Sequence, residues 1–177
     1  MTTILETERV RLRECRSADL DVLAAMMADK DQMSLYPRPR TREETQAWID
    51  RNLDLYEDRD FGFWLMESTE GPEFLGYCGI RPRLIDGVEE VEMGWHTMKH
   101  AWNKGIATHA AAACRDHAFT RLKIPRLVAI IDPANPASLR VANKIGMQFE
   151  KGVVVDDWHC LLYALEYGRD ELRRIGS

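Results

Sequence analysis

The segment "AWNKGIATHAAAACRDHAF", residues 101–119, joins a glycine-containing bend to a helix whose first turns carry mostly small side chains. Strand-like runs lie on both sides of it, "VEEVEMGWHTM" at residues 88–98 and "RLVAIID" at residues 126–132. A strand, a helix and a second strand in this order predict a crossover unit whose two strands are parallel neighbours. The helix is expected to run from about Ile106 to Arg121, so it begins at the open end of that strand pair.

The beginning of this helix is a candidate anion site. Helix N-termini present backbone N–H groups without partners and about half a positive charge, which suits a phosphate or pyrophosphate. Gly105, Ala107 and the alanines at 110–113 would leave room for a bulky anion. Tight packing of the helix on the sheet explains the same small residues, so the pattern alone leaves both interpretations open. The order Lys104-Gly105 is the reverse of a P-loop, and no G-x-G-x-x-G is present.

The remaining sequence predicts further strands and helices around the crossover unit. Alternation of apolar and polar residues predicts strands at 8–14, 61–68 and 74–82. Capping residues predict a helix over 18–27 capped by Ser17, a helix from the capping box of Thr41 and Glu44 to about residue 57, and a helix over 135–146. Turn residues predict a final hairpin around Asp156 and Asp157. The strands at 61–68, 74–82 and 88–98 are expected to form an antiparallel meander.

Composition predicts one globular domain over residues 1–177. The chain has 45% hydrophobic and 30% charged residues, and its net charge of −5 argues against a general nucleic-acid-binding protein. No run approaches the roughly 18 apolar residues of a membrane span, so a cytoplasmic protein is expected. The four cysteines have no metal-site spacing, which predicts reduced, buried thiols and no bound metal.

Several motifs together resemble the GNAT acyltransferase superfamily, and within it the Rim-type ribosomal-protein N-terminal acetyltransferases. They are "TERVRLRE", "FLGYCGI", "VEMGWHTMKHAWNKGIAT" and "DPANPASLRVANKIGM". The pyrophosphate loop Q/R-x-x-G-x-G/A matches at Gly105 and Ala107, with Trp102 in its first position. The signature N-x-x-S followed by K-x-G-F matches from Asn135 to Gly146, with Met147 in place of Phe. This resemblance implies an α/β GNAT fold: a mixed, mostly antiparallel sheet with helices on both faces and a parallel pair that forms an acetyl-CoA cleft.

The resemblance also implies how acetyl-CoA binds. The pyrophosphate is expected on backbone amides of the loop, the pantetheine arm beside the end of the preceding strand, and Asn135 near the pantetheine amides. The cofactor-binding residues implied in this way are Trp95, His96, Thr97, Asn103, Lys104, Gly105, Ile106, Ala107, Thr108 and Asn135. Backbone N–H groups of Trp95 to Thr97 are the expected donors to the oxyanion.

Acyl transfer to an amine requires the amine to lose a proton, and a carboxylate can accept it. Glu92 corresponds to the Glu of the family's E-x-G strand and is the expected base. A carboxylate on a strand can equally be structural, for example by pairing with an arginine, and His96 is a further candidate base. Many family members protonate the leaving thiolate with a tyrosine, but Ala142 occupies that position here. Ser138 is then the expected donor, although it also suits a first-turn hydroxyl bonded to backbone.

The acceptor is expected to be a primary amine. A protein N-terminus is the first candidate, and a polyamine or amine antibiotic is the second; from another class, the chain could be an acyl-CoA-binding sensor with weak catalysis. The loop "MSLYPRPR" and the tip "DDWH" should border the amine site by resemblance, with Tyr36, Asp156, Asp157 and Trp158 as substrate-binding residues. The two aspartates could attract a cationic acceptor or form a solvated turn. A homodimer is left open.

Overall fold

The computed structural model describes residues 3–168, in which eight strands form one sheet and four α-helices cover it. The strands are β1 (Thr3–Glu6), β2 (Val10–Glu14), β3 (Phe63–Ser68), β4 (Phe74–Ile85), β5 (Val88–Thr97), β6 (Arg126–Ile131), β7 (Gln148–Val155) and β8 (Trp158–Glu166). The α-helices are α1 (Leu20–Ala28), α2 (Arg42–Arg59), α3 (Ile106–Thr120) and α4 (Pro136–Lys144). Single 3₁₀ turns occupy Ser17–Asp19 and Lys99–Ala101.

The strand order is β1-β2-β3-β4-β5-β6-β8-β7, and all neighbouring pairs except β5 and β6 are antiparallel. The β5–β6 pair is parallel and is joined by α3, as the crossover pattern predicts. Its only registered residue pair within the described chain is Glu92 with Val128. On its other edge, β5 remains paired with β4 as far as Thr97 opposite Gly76. Beyond Glu92, therefore, β5 and β6 separate and leave an opening in the sheet.

Alternating side chains of the central strands supply two cores. On β3, Trp64 and Met66 pack with α3 and α4, whereas Phe63 and Leu65 pack with α1 and α2. Strand geometry requires this division because successive side chains point to opposite faces. The small residues of α3 also serve this packing. Their buried members, Ala110, Ala111, Cys114 and Ala118, have no exposed surface, so the helix can lie close to the sheet.

Most predicted elements are confirmed, and the differences have physical causes. Strand β1 was missed because four residues at a sheet edge give too short a pattern. Strand β4 continues through Pro82 to Ile85, where the predicted strand ended at the proline. The prediction of Ser17 as a helix cap was wrong, since a 3₁₀ turn precedes α1. The anchor there is Asp19, whose carboxylate accepts from Arg16 N and from the Arg13 guanidinium, each at 2.8 Å.

All four cysteines are buried and free, as predicted. None of the helices in the described part of the chain combines the length and the hydropathy that a membrane span requires. The buried arginine Arg13 donates to Asp19 and, at 2.7 Å, to Glu67. Its charge is thus paired between two carboxylates, which fixes the start of α1 against β2 and β3.

The capping box of α2 gives a stability prediction. The Thr41 hydroxyl accepts from Glu44 N at 3.2 Å, and the Glu44 carboxylate accepts from Thr41 N at 2.8 Å. Replacing Thr41 by Ala removes one of these bonds and should lower the free energy of unfolding by about 1 kcal/mol in urea denaturation. Thr120→Ala is the matched control, because the Thr120 hydroxyl only donates to Asp116 O within its own helix. Equal effects of the two substitutions would contradict the capping role.

Candidate active site

The opening between β5 and β6 is the floor of a cleft of about 890 Å³. This volume falls within the usual range for small-molecule sites. The cleft is lined by the ends of β5 and β6, the loop before α3, the first turns of α3 and α4, the loop before α2 and the start of β8. Two helix N-termini therefore converge on the place where the strands separate.

The N-terminus of α3 offers backbone donors without a competing side-chain cap. Its N-cap residue is Gly105, with φ of +78° and no side-chain hydrogen bond to the first turn. The preceding Asn103 also has a positive φ, +59°. Two hydrogen bonds fix this loop in place. Lys104 O accepts from the Arg9 guanidinium at 2.9 Å, and the Trp102 indole N–H donates to Thr97 O at 2.9 Å. The geometry suits an anion on the free first-turn N–H groups.

The beginning of α4 forms the opposite wall. Asn135 is its N-cap, and its side-chain oxygen accepts from Ser138 N at 3.0 Å. The Ser138 hydroxyl itself makes no hydrogen bond to residues 3–168. Because the described residues contain no fully buried polar side-chain atom without a partner, this hydroxyl must retain contact with the cleft or its solvent. Arg140 and Lys144 add positive charge to the same wall.

Glu92 lies on β5 at the point where β6 departs, and only 8% of it is exposed. Its Oε2 accepts from Arg81 Nε at 2.8 Å and from Arg83 Nη1 at 3.4 Å. Arg83 also donates to Asp156 Oδ2 at 2.6 Å, which ties β4 to the β7–β8 turn. Oε1 of Glu92 has no partner within the described residues and, by the same reasoning as for Ser138, retains solvent contact. The carboxylate is thus held by one oxygen and open at the other.

His96 is enclosed by protein contacts on the other side of Glu92. Its Nε2 lies 3.0 Å from Gln32 O and its Nδ1 lies 3.4 Å from the Tyr77 hydroxyl. Tyr36 stacks on the imidazole, with ring centroids 5.2 Å apart. Burial lowers the pKa of His96 to about 4, so the ring is neutral at neutral pH. Both ring nitrogens have protein partners, so neither is free to accept a proton from a substrate. The geometry instead suits a role in orienting Tyr36 and Tyr77.

The cleft brings together most of the predicted site residues. It is lined by Glu92, Ser138, Trp95, His96, Thr97, Asn103, Gly105, Ile106, Ala107, Thr108, Asn135, Tyr36, Asp156 and Trp158. Lys104 and Asp157 do not line it. Both aspartates of the β7–β8 turn have positive φ, and Asp156 is paired with Arg83, so the turn is at least partly structural. The sequence interpretation missed Gln32, Arg40, Tyr77, Arg81 and Arg83, which reach the cleft from elements that are distant from its motifs in sequence.

Comparison with known proteins identifies the chain. A family model described as an acetyltransferase (GNAT) domain matches residues 9–148. The chain belongs to the GNAT acetyltransferase family. It is 35% identical to the uncharacterized protein YkkB of Bacillus subtilis over 152 residues, which cover 85% of this chain and 88% of YkkB. The GNAT assignment and the expectation of an enzyme are thereby confirmed.

Solved structures support the same fold. The acetyltransferase from Agrobacterium tumefaciens is 29% identical, with a TM-score of 0.82 over 94% of this chain and 95% of that one. RimL, the ribosomal L7/L12 alpha-N-protein acetyltransferase solved in complex with coenzyme A, is 18% identical, with a TM-score of 0.76 over 93% and 98%. At this identity the likeness to RimL is in fold alone. Membership of the acetyltransferase (GNAT) family supports acetyl-CoA as the cosubstrate.

The left-handed conformation of Gly105 gives a prediction about coenzyme binding. Gly105→Val places a Cβ in a backbone region that costs L-residues about 1–2 kcal/mol, and should shift the loop. Calorimetry should then show coenzyme A affinity lowered by roughly tenfold or more, because the first-turn N–H groups lose their alignment. Gly87→Val is the matched control, with φ of +80° and no atom within 4 Å of an added Cβ.

Both valine variants should lose similar thermal stability, and only Gly105→Val should lose coenzyme affinity. The nearest atom to a Cβ on Gly105 is in the His109 ring at 3.6 Å, so no internal clash disturbs the comparison. Unchanged affinity in folded Gly105→Val would exclude this loop from the coenzyme site.

Proposed function

We propose that this GNAT enzyme acetylates a primary amine by direct attack on acetyl-CoA within a ternary complex, with Glu92 as the base. The observation that carries the proposal is the unpartnered Oε1 of Glu92, which is open to the cleft at the point where β5 and β6 separate. A protein N-terminal amine is the first candidate acceptor. Its support is the Rim-type pattern of the motifs together with the fold of RimL, which acts on a ribosomal protein.

The proton balance gives Glu92 its role. A free α-amine has a pKa near 8 and is largely protonated at neutral pH, so it must lose a proton before it can attack. Oε1 can accept that proton directly or through a water. Meanwhile Arg81 and Arg83 fix Oε2 and prevent the carboxylate from rotating away. Because the carboxylate is held in one orientation, Oε1 stays in position to accept the proton of the amine.

Ser138 supports departure of the leaving group. Its hydroxyl is at the first turn of α4, makes no bond to the described residues, and can donate to a developing thiolate. Ala142, in the position of the usual tyrosine, is completely buried and has no polar side chain. The helix N-terminus adds a partial positive charge that also favours an anion there. Ser138 and the N-terminus of α4 can thus both stabilise the departing thiolate.

Release of thiol tests the reaction. The protein is mixed with acetyl-CoA and a panel of N-terminal peptides, polyamines and amine antibiotics, and free thiol is measured while mass spectrometry locates the acetyl group. We expect release with at least one primary amine and acetyl on its nitrogen. Acetylated polyamines or antibiotics without acetylated peptides would replace the N-terminal acceptor by a small molecule. Binding of acetyl-CoA without turnover on any amine would contradict the proposed reaction.

Glu92→Gln tests the base. The amide keeps an oxygen that accepts from Arg81 but cannot take up the amine proton, so turnover near neutral pH should fall by roughly a hundredfold or more. Coenzyme A affinity, measured by calorimetry, should hardly change. Glu90→Gln is the control, because Glu90 is on the same strand, pairs with Arg126 at 3.2 Å and does not line the cleft. Wild-type turnover of Glu92→Gln at every pH would require another route for the proton.

A further inference from the structure

Three arginines in the segment "RPRTR", residues 38–42, have different environments. The Arg38 guanidinium pairs with Glu44, and that of Arg42 pairs with Asp21 at 2.5 Å, both at the exposed surface. Arg40 instead lines the cleft and is half-buried. Within residues 3–168 its guanidinium has no hydrogen bond and no ion pair, and it retains solvent contact. It is therefore a cation directed to the cleft without a protein anion.

The position of Arg40 is fixed by the backbone. Arg40 N donates to Met27 O at 2.8 Å, and the prolines at 37 and 39 restrict the loop before it. The guanidinium charge acts on groups of the acceptor side: with burial as the larger cause, it helps to lower the pKa of His96. It also opposes the rise that burial causes in the pKa of Tyr36 and of Tyr77. Arg40 thus lines the same cleft as Tyr36, Tyr77 and Glu92.

The other charges of the acceptor side are compensated. Arg81 is paired with Glu92, and Arg83 bridges Glu92 and Asp156. His96 is neutral at neutral pH and adds no charge. The remaining lining carboxylate, Asp132, accepts from Ala134 N at 2.7 Å beside α4, on the wall opposite. Three guanidinium groups therefore face two carboxylates on the acceptor side, although the whole chain has a net charge of −5.

We propose that Arg40 binds a carboxylate of the acceptor, so the acceptor is a primary amine that also carries a carboxylate. This inference rests on the proposed function, because it places the amine at Glu92 Oε1 and the carboxylate at Arg40. Two sources share the chemistry: a free amino acid, and a peptide N-terminus followed by an acidic side chain. The expectation that Asp156 and Asp157 attract a cationic acceptor is less well supported, since Asp156 is paired with Arg83 and Asp157 does not line the cleft.

The surroundings would strengthen such a contact. Trp48, Phe63 and Tyr77 form a buried aromatic cluster beneath this part of the cleft, with ring centroids 5.1–5.8 Å apart. An ion pair next to apolar rings is screened less than one at the surface. A guanidinium can also bind a carboxylate through two parallel hydrogen bonds, which fixes the direction of the bound acceptor. Arg40 would then orient the amine as well as hold the substrate.

Paired acceptors test the inference by turnover. Phenylalanine is compared with phenethylamine, and amidated tetrapeptides beginning Ser-Asp are compared with those beginning Ser-Asn. In the wild-type protein, kcat/KM should favour the carboxylate member of at least one pair by about tenfold or more, the usual effect of a hydrogen-bonded charge pair. Arg40→Gln should abolish this preference, mainly through KM. Arg42→Gln, the matched control outside the cleft, should retain it.

The comparison between variants uses the same acceptors, so their different amine pKa values cancel. The pair that shows the effect distinguishes a free amino acid from an acidic N-terminus. No preference in the wild-type protein, or a preference that survives in Arg40→Gln, would overturn the inference. So would a loss of coenzyme A affinity in Arg40→Gln that accounts for the whole effect.

A binding measurement separates this inference from the proposed function. N-acetylphenylalanine and N-acetylphenethylamine are titrated into the coenzyme-loaded protein by calorimetry, with no turnover required. Tighter binding of the carboxylate compound that disappears in Arg40→Gln would support the anion site even if no amine were acetylated. Equal binding of the two compounds to the wild-type protein would exclude a free amino acid. Equal binding of the N-acetylated Ser-Asp and Ser-Asn peptides as well would overturn the inference, whatever the turnover shows.

Discussion

The separation of β5 from β6 is the constraint on which the site depends. A parallel pair needs a crossover helix, and α3 fills that role while its N-terminus begins next to the opening. With β4 paired along the far edge of β5 up to Thr97, β5 cannot follow β6 away. The edge of β5 beyond Glu92 is thus left facing a space that a ligand can enter. Glu92 and both helix N-termini lie at this space for the same topological reason.

The charges of the cleft follow from how Glu92 is held. A nearly buried carboxylate needs partners, and Arg81 and Arg83 supply them from the neighbouring strand. Arg83 also pairs with a second anion, Asp156, which lies in the β7–β8 turn where Asp156 and Asp157 both have positive φ. The network leaves one carboxylate oxygen free and contains no surplus anion to neutralise Arg40. The contacts that fix Glu92 and the exposure of a cation in the same part of the cleft are therefore linked.

Local signals explain what the sequence could predict. Patterns that span only a few neighbouring residues predicted elements that the structure contains. They are the capping box of Thr41 and Glu44, the turn residues of the hairpins and the helical period of α3. The residues of the proposed coenzyme half of the cleft lie in two contiguous motifs, so they could be proposed from the sequence. The acceptor half brings together residues such as Arg83 and Asp156, 73 positions apart. No rule of sequence spacing predicts an ion pair between residues so far apart. Strand β1 and the 3₁₀ turn before α1 could not be predicted because neither has a strong local pattern.

Arg40 shows why pairing matters more than residue type. The segment around it contains three arginines that look equivalent in sequence, and a solvated basic loop would be the natural interpretation. Two of them are satisfied by Glu44 and Asp21, which leaves the third as the uncompensated one. Its charge acts on His96, Tyr36 and Tyr77, and His96 is kept neutral, so none of these neighbours offers it an opposite charge. A half-buried guanidinium without a protein anion is available to a ligand carboxylate, and the proposed acceptor would supply that second half of the ion pair.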